Sequence, residues 1–275
     1  MTDRTEWEGR VGRKWAEEWP RTDRSFAPLT ERLLAVLVDE RPRQVLDIGC
    51  GAGELSLALA RMYPSAEVLG LDVSEPLVAA ARERTGELPN ISFEVADAAT
   101  WRRDGFAPDL LVSRHGVMSF ADPVGAFSHL ASIAAPSARL VFSCFRNREH
   151  NPWATKIANL TTTDAPSSQS DEPGPFAFAN PDRVERILAE AGWEGVEFEP
   201  VDFAYVAGAG DDALQDAATF FKSIGPAARA ASELKGSERE DFDNRLRSLL
   251  TERCIDGTIS FPASAWIVSA RLVSV

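Results

Sequence analysis

Between residues 44 and 145 the apolar positions alternate between two spacings. Short apolar runs, QVLDI (44–48), AEVLGLD (66–72), ISFEVAD (91–97), PDLLVS (108–113) and ARLVFSC (138–144), have the length and branching of buried strands. Between them apolar residues return every three or four positions, at Leu55, Ala58, Leu59 and Met62, at Leu77, Val78 and Ala81, and at Phe127, Leu130, Ala131 and Ala134. Strands alternating with helices predict a parallel sheet covered on both faces, a doubly wound α/β core.

The regularity lapses after Cys144. Residues 150–176 are rich in Ser, Thr, Asp and Pro and read as a loop with one short helix. A helix follows in PDRVERILAEAGW, with Pro181 in its first turn, Val184, Ile187, Leu188 and Ala191 on one face, and Gly192 as its stop. The pattern then predicts a strand at 196–208, a helix at 211–224 ended by Gly225 and Pro226, a helix at 237–253 and a final strand at 264–275. The expectation is one α/β domain over 1–275: an N-terminal helical flap (1–40), a cofactor-binding half (41–145), a loop (146–180), and a C-terminal half (181–275). That last part would carry a helical lid (207–260) inserted before the last of seven strands.

Composition narrows the function. With 275 residues and 44% apolar content the chain can bury a sizeable core. No run approaches the about 20 apolar residues a bilayer span needs, and MTDRTEWEGRVGRKWAEEW carries charges throughout, so the expected setting is cytoplasmic. A net charge of −13 without a local Lys/Arg cluster argues against nucleic acid as substrate. Cys50, Cys144 and Cys254 are too scattered for a disulfide framework or a metal knuckle, and His115, His129 and His150 are the only histidines, so no metal is expected.

The chemistry centres on VLDIGCGAGELSLALA (45–60). A strand, three alternate glycines and a helix bring backbone amides close to a ligand. The loop continues Gly53-Glu54-Leu55, without the GK[ST] of a phosphate-binding loop. Asp72, 19 residues after Gly53, suits the ribose of a dinucleotide or of another nucleoside cofactor. Asp47 and Glu54 bracket the loop, which disfavours a pyrophosphate and favours a cation-bearing cofactor.

These residues resemble a family. VLDIGCGAGELSLALA, LGLDVSEPLVAAAR and FEVADAATW look like the successive cofactor motifs of class I S-adenosylmethionine-dependent methyltransferases. PDLLVSRHGVMSFADPVGAF, NPW (151–153) and GPFAFANPDRVERILAEAGW are similar to a bacterial branch related to the ubiquinone and menaquinone enzymes. The resemblance implies that Gly49, Cys50, Gly51 and Gly53 lie against S-adenosylmethionine, with Asp47 near its amino group and Asp72 on both ribose hydroxyls. It further implies Val73 and Leu77 as adenine walls, Asp97 on the adenine amine beside Ala98, and Ser113 and Arg114 at the methyl-transfer centre. Two positions depart from the family: Pro136-Ser137-Ala138 replaces a Pro-Gly-Gly turn, and His115 replaces a frequent aromatic residue.

His115, beyond the fourth strand, is the candidate catalytic base, against the alternative that it only packs under the substrate. Met118, Phe120, Trp153, Phe176 and Phe178 are candidate linings of an acceptor pocket. Trp7, Trp15 and Trp19 serve either as staples of the N-terminal segment or as a flap, with Trp15 reaching the pocket. The expected reaction is methyl transfer to oxygen or carbon of a small apolar or aromatic acceptor. An NAD-dependent oxidoreductase and a non-catalytic cofactor-binding protein are the rivals, and a homodimer stays open.

Overall fold

A computed structural model describes residues 4–161, 173–225 and 227–273. In chain order the elements are α1 (Arg4–Glu8), α2 (Arg10–Glu17), α3 (Trp19–Leu37), β1 (Gln44–Ile48), α4 (Glu54–Met62), β2 (Glu67–Asp72), α5 (Glu75–Glu83), β3 (Ile91–Val95) and β4 (Leu110–Arg114). Then come α6 (Pro123–Ile133), β5 (Arg139–Phe145), α7 (Pro152–Ala158), α8 (Pro181–Glu190), β6 (Trp193–Ala209), α9 (Ala213–Ser223), α10 (Ala228–Glu233), α11 (Gly236–Thr251), β7 (Cys254–Ile255) and β8 (Thr258–Leu272). Pro226, and the stretch 162–172 of the expected loop, lie outside the described residues.

The sheet order is β3-β2-β1-β4-β5-β8-β6, with the two-residue β7 pairing β8 as a hairpin. β1 to β5 pair in parallel, and β8 runs antiparallel between β5 and β6. The doubly wound α/β class holds, with α9 to α11 inserted between β6 and the last strand. The seven expected strands form the path of the sheet, and among the described residues the two-residue β7 adds a short hairpin beside it.

Local chemistry explains the element ends. Asp122 caps α6 by accepting from the Gly125 amide ahead of Pro123, and Asn180 caps α8 by accepting from the Asp182 amide ahead of Pro181. Gly192 leaves α8 at φ +88°, the left-handed conformation that stops a helix. Ser137, standing where the resemblance leads one to expect glycine, adopts φ +60°, a left-handed conformation that glycine takes more easily.

The last strand begins at Thr258 rather than at 264. Pro262 conceals its first half, because proline argues against a central strand. β5 pairs β8 only over Ala265–Arg271, so Pro262 has a neighbour on the β6 side alone, opposite Ala204, and no ladder bond is lost.

One large core lines both faces of the sheet, with Phe127, Phe142, Phe178 and Trp193 among its fully buried members. The strand order reverses between β1 and β4, which opens a crevice beyond their carboxyl ends. Three N-terminal helices lie over this end of the sheet: α2 packs on α5, and α3 packs on β6. Among the described residues no helix is long and apolar enough to cross a membrane.

Candidate active site

The glycine loop follows β1 with Gly49, Gly51 and Gly53 at φ +66°, +55° and +85°. A side chain on Gly53 would strike the Phe93 ring and the Ala81 methyl, so that glycine also lets α4 start close to β3 and α5. Around Gly51 there is open space. Cys50 bonds through its amide to the Leu71 carbonyl, while its side chain joins a small cluster with Leu57, Val78, Ala81 and Phe93. Only the Cys50 backbone is therefore available to a cofactor. Its thiol, held neutral by burial beside Asp72 and Asp47, belongs to the core.

Asp72 ends β2 and braces two backbones. One carboxylate oxygen accepts from the Gly51 amide at 2.9 Å and the other from the Ser74 amide at 2.9 Å. Burial raises its pKa, and those two amides oppose the rise. A carboxylate has about four lone-pair sites, so both oxygens keep room for hydroxyl donors.

Asp47 is buried beneath the loop. One oxygen accepts from the Ser56 hydroxyl, and the other, Oδ1, has no partner. Burial pushes its pKa up to about 6, against the pull of Ser56 and of Arg114. The Ser74 hydroxyl and His115 Nε2 are likewise buried without partners. Orphaned polar atoms are costly and uncommon in native interiors, and these cluster where strand ends and glycine loop meet. An amino-acid ammonium beside Asp47 Oδ1 and a ribose at Asp72 would satisfy such a donor set, so the residues fit the cofactor that the sequence resemblance implies.

Val73 is half-buried between Asp72 and the Ser74 start of α5, and Leu77 is buried on that helix but belongs to neither core cluster. Asp97 accepts from the Ala99 amide through one oxygen and pairs with Arg4 of α1 at 2.9 Å through the other, with Ala98 buried alongside. The Asp97 oxygen expected to face an adenine amine is thus met by an arginine of the N-terminal segment. Gly12 of α2 presses on Ser74 and on the Trp7 carbonyl where any side chain would overlap them. Trp15 packs edge-on to Trp7 at 5.4 Å, which supports the reading of these tryptophans as staples of the N-terminal segment.

Two expected contacts at the methyl-transfer centre are corrected. The Ser113 hydroxyl donates to the Ile48 carbonyl at 2.6 Å and accepts from the Gly116 amide at 3.0 Å; it is fully buried and pins β4 to β1. Arg114 turns away to Glu54, to the Thr30 hydroxyl at 2.8 Å and to Asp23 at 3.8 Å. Glu54, read from sequence as an attractor of cofactor charge, is therefore neutralised by Arg114. Arg84 completes the clasp, pairing Asp23 at 2.5 Å, donating to the Ala52 carbonyl at 2.6 Å and lying 3.8 Å over the Trp19 ring.

His115 follows β4 at φ +66° and stacks on Phe145 at 4.1 Å, with Phe26 edge-on at 5.2 Å. Its Nδ1 faces the Ser143 hydroxyl at 3.3 Å. Burial, reinforced by the Arg114 charge, depresses its pKa to about 3, so the ring is neutral at physiological pH and a poor proton acceptor. Trp153 stacks on Tyr205 at 4.9 Å and lies 5.2 Å from Phe145, and Phe176 lies 5.9 Å from Phe145. These two of the expected lining residues join His115.

Phe178 and Phe120 do not: both pack toward Phe127 of α6, and Phe178 is fully buried with Phe142. The cause is strand alternation, since Phe142 and Cys144 point to one face of β5 and Phe145 to the other. Met118 is buried in the core, and its carbonyl accepts from the Gly174 amide. Phe26 and Phe145, which pack on His115, and Tyr205, which stacks on Trp153, were not singled out from the sequence. Phe145 alone had a usable signal, its place at the carboxyl end of β5.

This is a Rossmann-like architecture with its glycine loop and buried carboxylates gathered at the carboxyl ends of β1 and β2. The chain belongs to the Methyltransferase domain family, whose profile matches residues 40–192, and with it to the class I S-adenosylmethionine-dependent methyltransferases. It is 33% identical over 166 residues to the trans-aconitate 2-methyltransferase of Variovorax paradoxus, covering 56% of this chain and 60% of that protein. It is 34% identical to the malonyl-[acyl-carrier protein] O-methyltransferase of Magnetococcus marinus, covering 46% of each. The chain thus spans about half the length of these curated relatives. A solved methyltransferase-like structure from Bacillus halodurans superposes with a TM-score of 0.55 at 14% identity, over 88% of this chain and 97% of that one, a likeness of fold.

Proposed function

We propose that this protein transfers the methyl group of S-adenosylmethionine to an oxygen of a small acceptor that has an apolar or aromatic body. The observation that carries the reading is the buried, unpartnered Asp47 Oδ1 beneath a glycine cradle, beside the two-pronged Asp72. A pyrophosphate would be repelled there, whereas an ammonium completes the hydrogen bonding. Bound S-adenosylmethionine supplies an electrophilic methyl on a sulfonium with a good leaving group.

The chain's own work is positioning and exclusion of water. Asp47 orients the amino-acid end, Asp72 the ribose, and Asp97, once Arg4 is displaced, the adenine amine. Phe26, Phe145, Trp153 and Tyr205 form the dry wall on which the acceptor lies, and neutral His115 directs Nε2 at its reacting group. The two curated relatives are named for trans-aconitate and malonyl acceptors, both carboxylates. A carboxylate oxygen is already ionised at neutral pH and needs no base, which agrees with a His115 held far below its ordinary pKa. A diffusible acceptor and a cytoplasmic setting belong to the same proposal, as does the lack of a nucleic-acid partner, which the charge of −13 supports.

Calorimetry with S-adenosylhomocysteine and with NAD separates the cofactor readings: the former is expected to bind and the latter not. Transfer of labelled methyl to trans-aconitate or to a metabolite extract separates an enzyme from a non-catalytic binder. Tight NAD binding without response to S-adenosylhomocysteine would overturn the proposal.

A further inference from the structure

The part-buried arginines near the crevice have acids to face: Arg21 and Arg24 share Asp216, Arg84 and Arg114 share Asp23, and Arg146 faces Asp202. Arg148 differs. It opens the short turn at Arg148–His150 after β5 and is half-buried, with its guanidinium carbon 4.6 Å over the Phe176 ring. Among the described residues no carboxylate and no hydrogen-bond acceptor engages it. Burial with nothing opposing it lowers its pKa, yet a guanidinium stays charged at neutral pH. A partly desolvated cation without a counter-charge is an energetic cost that a ligand can relieve.

Its surroundings lead to the reacting centre. The Phe176 ring lies 5.9 Å from Phe145, and Phe145 stacks at 4.1 Å on His115, whose Nε2 is unpartnered. One ladder of rings thus has a neutral polar atom at one end and an unpaired fork of N–H donors at the other. A guanidinium held over a ring face keeps N–H donors at its edge, and two of them side by side match a carboxylate.

The geometry points to Arg148 as a specificity-determining residue that takes a carboxylate of the acceptor, remote from the reacting atom, in a bidentate fork. The acceptor body lies along Phe176 and Phe145, and the reacting group sits at His115. The acceptor class is therefore a small acid with an anionic group set apart from the atom that is methylated. This inference rests on the methyl-transfer reading for the identity of the reacting end, but not for the anion site itself.

The test uses the full chain saturated with S-adenosylhomocysteine and two pairs of probes: trans-aconitate with its trimethyl ester, and trans-cinnamate with cinnamamide. In calorimetry at least one acid should bind tenfold or more tighter than its neutral partner. Arg148→Ala should lose at least tenfold for that acid and little for the neutral compound. Arg148→Lys, which keeps the charge without the fork, should regain part of the loss. Equal affinity for acid and neutral partner, no binding of either acid, or a preference that survives in Arg148→Ala overturns the inference. Melting curves check that both variants fold. S-adenosylhomocysteine affinity is measured alongside: its absence in wild type sinks the methyl-transfer reading, while the acid preference, read without it, still decides the role of Arg148.

Discussion

Gly49 and Gly116 pack back to back, so that a Cβ on Gly49 would lie 2.8 Å from the Gly116 Cα and one on Gly116 would lie 2.5 Å from the Ile48 carbonyl oxygen. The first closes β1 and the second follows β4, so their contact seals the floor of the crevice at the point where the strand order reverses. Gly116→Ala therefore forces two backbones apart, at a cost of roughly 1 to 3 kcal/mol. Urea denaturation should show the loss together with weaker S-adenosylhomocysteine binding. A variant as stable as wild type would mean that the strand ends part easily.

Asp72→Ala removes a carboxylate that ties Gly51 to Ser74 as well as the proposed ribose ligand. Two charge-assisted hydrogen bonds at roughly 1.5 to 3 kcal/mol each set the scale of the lost cofactor affinity. Asp72→Asn keeps the size but supplies only one acceptor oxygen, so it should fall between. Calorimetry on folded variants checks the order, and unchanged affinity in Asp72→Ala would remove this residue from the site.

Asp47 gives cofactor binding a pH dependence of definite sign. Burial raises its pKa to about 6, and a neighbouring ammonium favours the ionised form. Affinity for S-adenosylhomocysteine should then fall as pH drops below about 6 and be flat above about 7, with proton release on binding near pH 6. Titrations at several pH values in buffers of different ionisation enthalpy measure both. Asp47→Asn should abolish the dependence, and a flat wild-type profile would contradict the pairing.

His115 acts on stability in the opposite direction from Asp47. Its pKa is about 3 in the folded chain and about 6.5 when unfolded, so the unfolded state binds the extra proton between these values. Its contribution is complete above pH 6.5 and is lost as pH falls toward 3, a few kcal/mol at most. Asp47, protonated more readily when folded, favours the fold at acid pH, so in wild type the two effects partly cancel. His115→Phe should flatten the acid loss in denaturation measured from pH 7 to 4, and leave the shape of the pH–rate profile from pH 5 to 9 unchanged. A rate profile that loses a limb near neutrality in His115→Phe would restore the role of a titrating base.

Much of the fold was legible because its signals are local. Each of β1 to β5 is bounded by turn residues, and each sheet-covering helix repeats on its own period. β8 was half hidden, since the tolerance of Pro262 depends on where β5 ends, a fact of tertiary pairing. At the candidate site the glycines were readable because their backbone conformations favour glycine, and Asp72 because it ends a strand at a set distance from them. Arg114 was not: its direction is set by Asp23 and Glu54, which meet it from α3 and α4. Phe178 and Phe176 stand two residues apart in one short segment, yet one enters the core and the other the ring ladder, a split that composition cannot reveal.

The position of β8 also has a bearing on how the protein is made. On the ribosome, β1 to β5 can pair as soon as they emerge, but β5 keeps an open edge and β6 has no place in the sheet until residues 258–272 arrive. For that interval of synthesis the molecule carries an unpaired strand, the kind of intermediate that invites pairing with another chain. Closure then depends on a contact between segments more than a hundred residues apart, which makes the late arrival of one strand the expected slow event of folding.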